Sequence, residues 1–138
     1  MNELRQFFRV DATVPMFIRS LSDREAVRFT CRLDDKGFDK TLKERLLRKI
    51  NISGAGICFE SDVPYDQGEI IEMRLMLEDV YPGIIGVSVE VNRVEKKSRN
   101  YYIAVKYACI DERIRELIVS FVFQRERILI QEKRVGWL

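Results

Sequence analysis

Residues 87–107 read VSVEVNRVEKKSRNYYIAVKY. Val87, Val89 and Val91 alternate with Ser88, Glu90 and Asn92, and Tyr101, Ile103, Val105 and Tyr107 form a second alternating run. Successive side chains of an extended chain point to opposite faces, so a period of two marks strands with one face in a core. The polar stretch Lys96–Asn100 between them predicts a hairpin turn. The period then changes. Ile114, Leu117, Ile118, Phe121, Val122, Arg125, Ile128 and Leu129 recur at helical spacing. This spacing predicts a helix over 111–134, with Asp111 as N-cap and Glu112 at the positive helix end. Its last stretch, Gln124 to Arg134, is charge-rich and is expected to project partly into solvent.

The alternation extends upstream. Val10, Ala12, Val14, Met16 and Ile18 mark one strand, and Ile57 and Phe59 flank Cys58 in another. Ile71, Met73, Leu75 and Leu77 alternate opposite Glu72, Arg74 and Met76. Pro64–Gly68 and Tyr81-Pro82-Gly83 interrupt the runs as turns. The 20–50 segment is less decided. Val27, Phe29, Cys31 and Leu33 alternate and predict a strand, although Ser22 and Glu25 also fit a capping box at a helix start. Thr41 and Glu44 are placed to cap one short helical turn or a loop through Leu42 and Leu46, followed by a strand ending near Ile52.

A run of antiparallel strands closed by one helix predicts a mainly β fold. The natural solution is a six-stranded antiparallel barrel with a C-terminal α-helix, because closure leaves no open strand edge. Residues 1–138 read as a single domain. It comprises a flexible arm over 1–9, a barrel over 10–108 with an insertion or extended hairpin at about 20–40, and the helix over 111–134.

Composition removes several classes of function. The chain is 46% hydrophobic, with 24 basic and 22 acidic residues for a net charge of +2. It is neither disordered nor a strongly basic nucleic-acid module, so no DNA or RNA partner is expected. A barrel that binds single strands would want a basic face with aromatic stacking platforms, and Tyr101 and Tyr107 fall on the expected core face. There is no histidine to act as general base. Ser53 has no base near it in sequence, and Glu69 and Glu72 read as solvated strand positions, so no catalytic residue is assigned and no enzyme is expected. Cys31, Cys58 and Cys109 are odd in number and lack zinc or thioredoxin spacing. They read as reduced core thiols, with no metal site and no cofactor. Met1–Arg5 lacks a signal peptide's apolar region, and no apolar run approaches the ~20 residues that span a bilayer. A cytoplasmic protein without membrane insertion is the expectation.

Two short stretches carry chemistry. The first is Arg5-Gln6-Phe7-Phe8-Arg9, and the second is Asn51-Ile52-Ser53-Gly54-Ala55-Gly56. A guanidinium presents a planar fork of donors and a face that stacks on rings, which suits phosphates and guanine edges alike. Gly54 and Gly56 permit positive φ or close backbone approach, and Asn51 and Ser53 can hold a turn or bond a ligand. Each stretch alone has a plain reading, as two solvated arginines and an ordinary β-turn. The spacing of Arg5 and Arg9 recurs in Arg24, Arg28 and Arg32, read as the solvated face of a strand. A dinucleotide loop is rejected, since no third glycine and no following helix support it.

Together, the two stretches resemble the PilZ domain family, whose signature is RxxxR followed by [D/N]xSxxG. Arg5 and Arg9 match the first part, and Asn51, Ser53 and Gly56 the second. The resemblance covers nearly the whole chain, including the closing helix with Phe121-Val122-Phe123-Gln124-Arg125. It implies a receptor for cyclic di-GMP, a bacterial second messenger. On this resemblance Arg5 and Arg9 grip the phosphates and stack on or fork to the guanines. Asn51 and Ser53 contact the other guanine edge, and Gly56 keeps the turn open. Leu4 and Gln6 are accessory positions, and an apolar residue at Leu4 implies one bound ligand rather than an intercalated pair. Binding would fold the arm across the barrel mouth and signal to an effector protein, or through a homodimer, in motility, biofilm or related bacterial processes. The alternative is an interaction module of the same fold that does not bind nucleotide.

Overall fold

The structure, a computed structural model, describes residues 8–136. The elements run β1 (Arg9–Ser20), α1 (Asp23–Arg28), β2 (Arg32–Asp34), α2 (Lys40–Arg45), β3 (Leu47–Ser53), β4 (Gly56–Ser61), β5 (Ile70–Leu75), β6 (Ile84–Lys97), β7 (Asn100–Cys109) and α3 (Glu112–Gly136). The strands are hydrogen bonded in the order β2-β6-β5-β1-β3-β4-β7, and a further β6–β7 pairing closes the sheet. Six strands therefore form a closed antiparallel barrel, as expected, and β2 lies outside the closure on the edge of β6.

Two long strands make the closure work. β1 pairs with β3 through Arg9–Pro15 and with β5 through Met16–Ser20. β6 pairs with β5 and then β7, with register shifts at Ser88/Val89 and between Val91 and Arg93. An extra residue at such a bulge bends the strand, so one strand can serve two sides of a barrel. The β6–β7 hairpin turns through Ser98, which takes a positive φ of 42°.

The inward faces of all six strands are apolar and buried, with Val10, Ile52, Ile57, Phe59, Met73, Val89 and Ile103 among them. Ile114, Ile118, Phe121 and Val122 of α3 join the same core. Each such side chain removed from water contributes about 1.5–3 kcal/mol. The start of α3 is capped as expected, with the Ile114 N–H donating to Asp111 Oδ1 at 2.8 Å. Beyond Val122 the helix has no buried residue among those described, and Ile128, Leu129 and Ile130 are exposed. No helix among the described residues is long and apolar enough to cross a membrane.

The 20–50 segment corrects several expectations. The strand expected through Val27, Phe29, Cys31 and Leu33 is absent over most of that range; Asp23–Arg28 is helical. The Glu25 N–H donates to Ser22 Oγ at 3.2 Å, and the Ser22 N–H donates to Glu25 Oε1 at 3.1 Å. This reciprocal cap overrides an alternation that buries little, since Val27 is 87% exposed. Arg24 and Arg28 accordingly lie on α1 and not on a strand face, and only Arg32–Asp34 is extended. The short helix after 40 forms, but Asp39 caps it in place of Thr41, accepting from the Leu42 N–H at 2.9 Å. The strand ending at Ser53 then follows.

Glu72 is also corrected. It is 5% exposed, not solvated. Arg19 Nε and Arg74 Nε donate to its two oxygens at 3.1 and 3.3 Å, so the carboxylate is paired on both sides, as a buried polar group must be. The three thiols are free, with Cys58 buried and Cys31 and Cys109 half-buried.

Candidate functional site

The motif residues meet on the outer surface of β1, β3 and β4. Antiparallel register sets Asp11 opposite Asn51, and Asn51 opposite Cys58. Arg9 opens β1 opposite Ser53. Its Nη1 donates to Asn51 Oδ1 at 3.2 Å and to Cys58 Sγ at 3.4 Å. The other half of the Asn51 amide, Nδ2, donates to Asp11 Oδ1 at 3.0 Å. These bonds orient Asn51 from both sides. They engage one nitrogen of the Arg9 guanidinium, whose remaining donors have no partner among the described residues.

The turn from β3 to β4 is built by Ser53. Its side chain is fully buried, and Oγ accepts from the N–H groups of Ala55 and Gly56 at 3.1 and 3.2 Å. The Tyr107 hydroxyl donates to the Ser53 carbonyl at 2.9 Å, and Arg115 Nη1 donates to the Gly54 carbonyl at 2.6 Å. The Arg115 guanidinium also sits 5.9 Å from the Tyr107 ring centroid. Burial pushes the Tyr107 phenol well above the ordinary tyrosine range, so it remains a donor. Helix α3 is thus tied to the motif turn through Arg115.

Gly56 is needed for close approach. A Cβ there would lie 2.1 Å from the Val105 carbonyl oxygen on β7. It does not use the positive φ that the sequence allows; among the described glycines, Gly68 takes that conformation, with φ 89°.

A groove of about 1030 Å³ opens along this surface. Asp11, Asn51, Cys58, Glu60 and Tyr102 line it together with the basic side chains of Arg48 and Lys49. A space of that size lies at the upper end of small-molecule sites. Tyr102 lies on β7 opposite Glu60, with Lys97 Nζ 4.6 Å from its ring centroid. Burial raises the Tyr102 phenol, and the adjoining Cys58 thiol raises it further, while nearby Arg9 acts in the opposite sense.

The structure therefore brings together Arg9, Asn51, Ser53 and Gly56 from distant parts of the chain. Leu4, Arg5, Gln6 and the rest of the arm up to residue 7 lie outside the described residues. Sequence reasoning missed Asp11, Cys58, Glu60 and Tyr102 as members of this surface, and Tyr107 and Arg115 as supports of its turn. Asp11 carried a signal, because position i+2 from Arg9 on a strand shares its face. The others depend on strand register and helix placement, which no local pattern shows.

Comparison with known proteins places this geometry. A family model described as PilZ domain matches residues 3–124. No curated protein matches the chain by sequence. Among solved structures, a Xanthomonas campestris protein described as a tetrameric PilZ domain self-assembled via an unusual helical bundle is similar. It has a TM-score of 0.62 and 12% identity over 89% of this chain and 90% of that one. The inhibitor of motility from Bacillus subtilis is also similar, with a TM-score of 0.62 and 16% identity over 88% of this chain. There the match spans 50% of the longer protein. At these identities the structural likeness establishes the fold.

Proposed function

The chain belongs to the PilZ domain family, a family of binding and regulatory modules, and on that premise we propose that it is a cytoplasmic cyclic di-GMP receptor. One observation carries the reading. Arg9 and Asn51, 42 positions apart, form one hydrogen-bonded cluster beside the groove, with guanidinium donors that have no partner among the described residues.

Arg9 and Arg5 supply charge-assisted hydrogen bonds to the ligand's phosphates or guanines, about 1.5–3 kcal/mol each. Stacking of a guanidinium on a base adds about 0.5–2 kcal/mol. With the Asn51 amide contributing, the sum reaches about −8 kcal/mol, which is micromolar affinity. Asn51 contacts a guanine edge directly. Ser53, whose hydroxyl is already engaged by Ala55 and Gly56, acts by holding the turn's backbone in shape. Leu4 and Gln6 flank the ligand, one molecule of which binds per domain.

Calorimetric titration of the wild-type chain and Arg9→Ala with cyclic di-GMP tests this. Micromolar binding that the substitution abolishes is expected. No heat from the wild type at about 100 μM, far above that affinity, would refute it.

The signal leaves the domain through its surface. Binding docks the arm that precedes β1 across the barrel, and an effector protein reads the change. Hydrogen exchange should slow over that arm when ligand is added; unchanged exchange at saturation would remove this step. Self-association is the second route. Its support is the exposed apolar end of α3, together with a structural neighbour that assembles through helices. The same helix end favours the alternative, an interaction module that binds no nucleotide. The neighbour that inhibits motility makes motility or biofilm control the process we favour.

A further inference from the structure

Two groove residues have no role in the reading above. Glu60 and Tyr102 are paired in register across β4 and β7. They lie one side-chain step along those strands from Cys58 and Ala104, themselves paired, and on the same outer face. Strand spacing puts Tyr102 roughly 12 Å from Asn51, two strands across and one step along. The two residues form a wall shared by the main groove and a smaller hollow of about 250 Å³, which Lys97, Arg99 and Asn100 also line.

The Glu60 carboxylate is exposed, and it has no hydrogen-bond or ion-pair partner among the described residues. The surface also offers Arg9, Arg48 and Lys49, and its other carboxylate, Asp11, is engaged by the Asn51 amide, so the free Glu60 carboxylate would only repel a phosphate. It becomes favourable where the ligand donates. Guanine presents N1–H and N2–H₂ side by side, a match for two carboxylate oxygens, whereas adenine presents an unprotonated N1 at the same place. Tyr102 supplies the adjoining flat surface. The cation over its ring belongs to Lys97, whose side chain is exposed and free to give way. An aromatic ring offers any base a face to stack on, so the choice of base falls to the edge contact.

We propose that Tyr102 and Glu60 are the base-reading part of this site: the Tyr102 ring stacks on one guanine, and Glu60 accepts its N1–H and N2–H. Lys97 is displaced toward the phosphates. This selects guanine over adenine at the end of the groove away from Asn51. The inference rests on the receptor reading and goes beyond the signature residues.

The test is calorimetric titration of the full chain with cyclic di-GMP and with cyclic di-AMP, for wild type, Arg9→Ala, Tyr102→Ala, Tyr102→Phe and Glu60→Gln. Loss of one stacked base should weaken Tyr102→Ala about tenfold to a hundredfold, while Tyr102→Phe keeps most of the affinity. Glu60→Gln should narrow the preference for the guanine ligand by about tenfold or more. Tyr102→Leu stands in if Tyr102→Ala does not fold. Wild-type affinity in Tyr102→Ala, equal losses in Tyr102→Ala and Tyr102→Phe, or an unchanged preference in Glu60→Gln would overturn the assignment. If Arg9→Ala abolishes binding but the Tyr102 and Glu60 variants behave as wild type, the receptor reading stands and this inference falls. If the wild type binds neither ligand, both fall.

Discussion

Asn51 and Ser53 belong to one short motif, yet the structure gives them different work. The Asn51 amide is held between Arg9 and Asp11, at the surface a ligand would meet. The Ser53 hydroxyl accepts two backbone N–H groups inside the turn. Ser53→Ala leaves both donors unpaired, at a cost of about 1–3 kcal/mol in chemical unfolding. Asn51→Ala should weaken ligand binding with a smaller stability loss. Gly56→Ala is expected to cost at least about 1–3 kcal/mol, because its Cβ would run into the Val105 carbonyl on β7; a melt unchanged from wild type would contradict that packing. The motif residues were legible in the sequence because their types and spacing are themselves the signal. Cys58 and Tyr102 were not, because only strand register makes them neighbours, and Asp11 showed itself only by sharing a strand face with Arg9.

Short elements around β1 depend on single side chains. Glu25 caps α1 and meets Arg19. The Arg19 hydrogen bond, followed by those to Ser22, holds its carboxyl at about 2, below the ordinary 4.5. A carboxyl with a lowered folded value stabilises fully above its unfolded value, and that contribution is lost as pH falls toward the folded one. The α1 amides should therefore shift between about pH 4.5 and 2 in an NMR titration, and the Glu25 carboxyl should titrate near the lower end. A midpoint near 4.5 would contradict the contact. This cap is also why the sequence misled over Val27–Leu33. The alternation there was real, but local hydrogen bonds decided the conformation where little side-chain burial opposed them. The long helix gave the opposite result, since its apolar stripe is buried against the barrel as far as Val122 and its extent was legible. Asp111→Ala should lower global stability by about 0.5–2 kcal/mol, with Asp111→Asn retaining most of it. The exposed end of α3 makes a further prediction: Leu129→Glu leaves the fold intact and abolishes any self-association seen by light scattering.

At the scale of the whole molecule, closure produces the site. Because β1 lies between β5 and β3 and β7 returns to β6, the ladder β1–β3–β4–β7 presents one continuous outer surface. Arg9, near one end of the chain, is thereby placed over Asn51 and Cys58. The barrel was legible because period-two alternation recurs in nearly every strand. The buried Glu72 was not, because its two arginine partners come from β1 and from its own strand, and their convergence is a property of the closed sheet. The helix that plugs the core also reaches the motif turn through Arg115. The turn is therefore one hydrogen bond from the element whose far end is exposed.

Chemical-shift mapping of the isotope-labelled chain titrated with cyclic di-GMP tests the central claim most directly. The account predicts saturable shifts concentrated on Arg9, Asp11, Asn51, Cys58, Glu60 and Tyr102, with Glu72 and Ser88 across the barrel unmoved. No shifts at excess ligand, or shifts centred on Glu72 and Ser88, would contradict it.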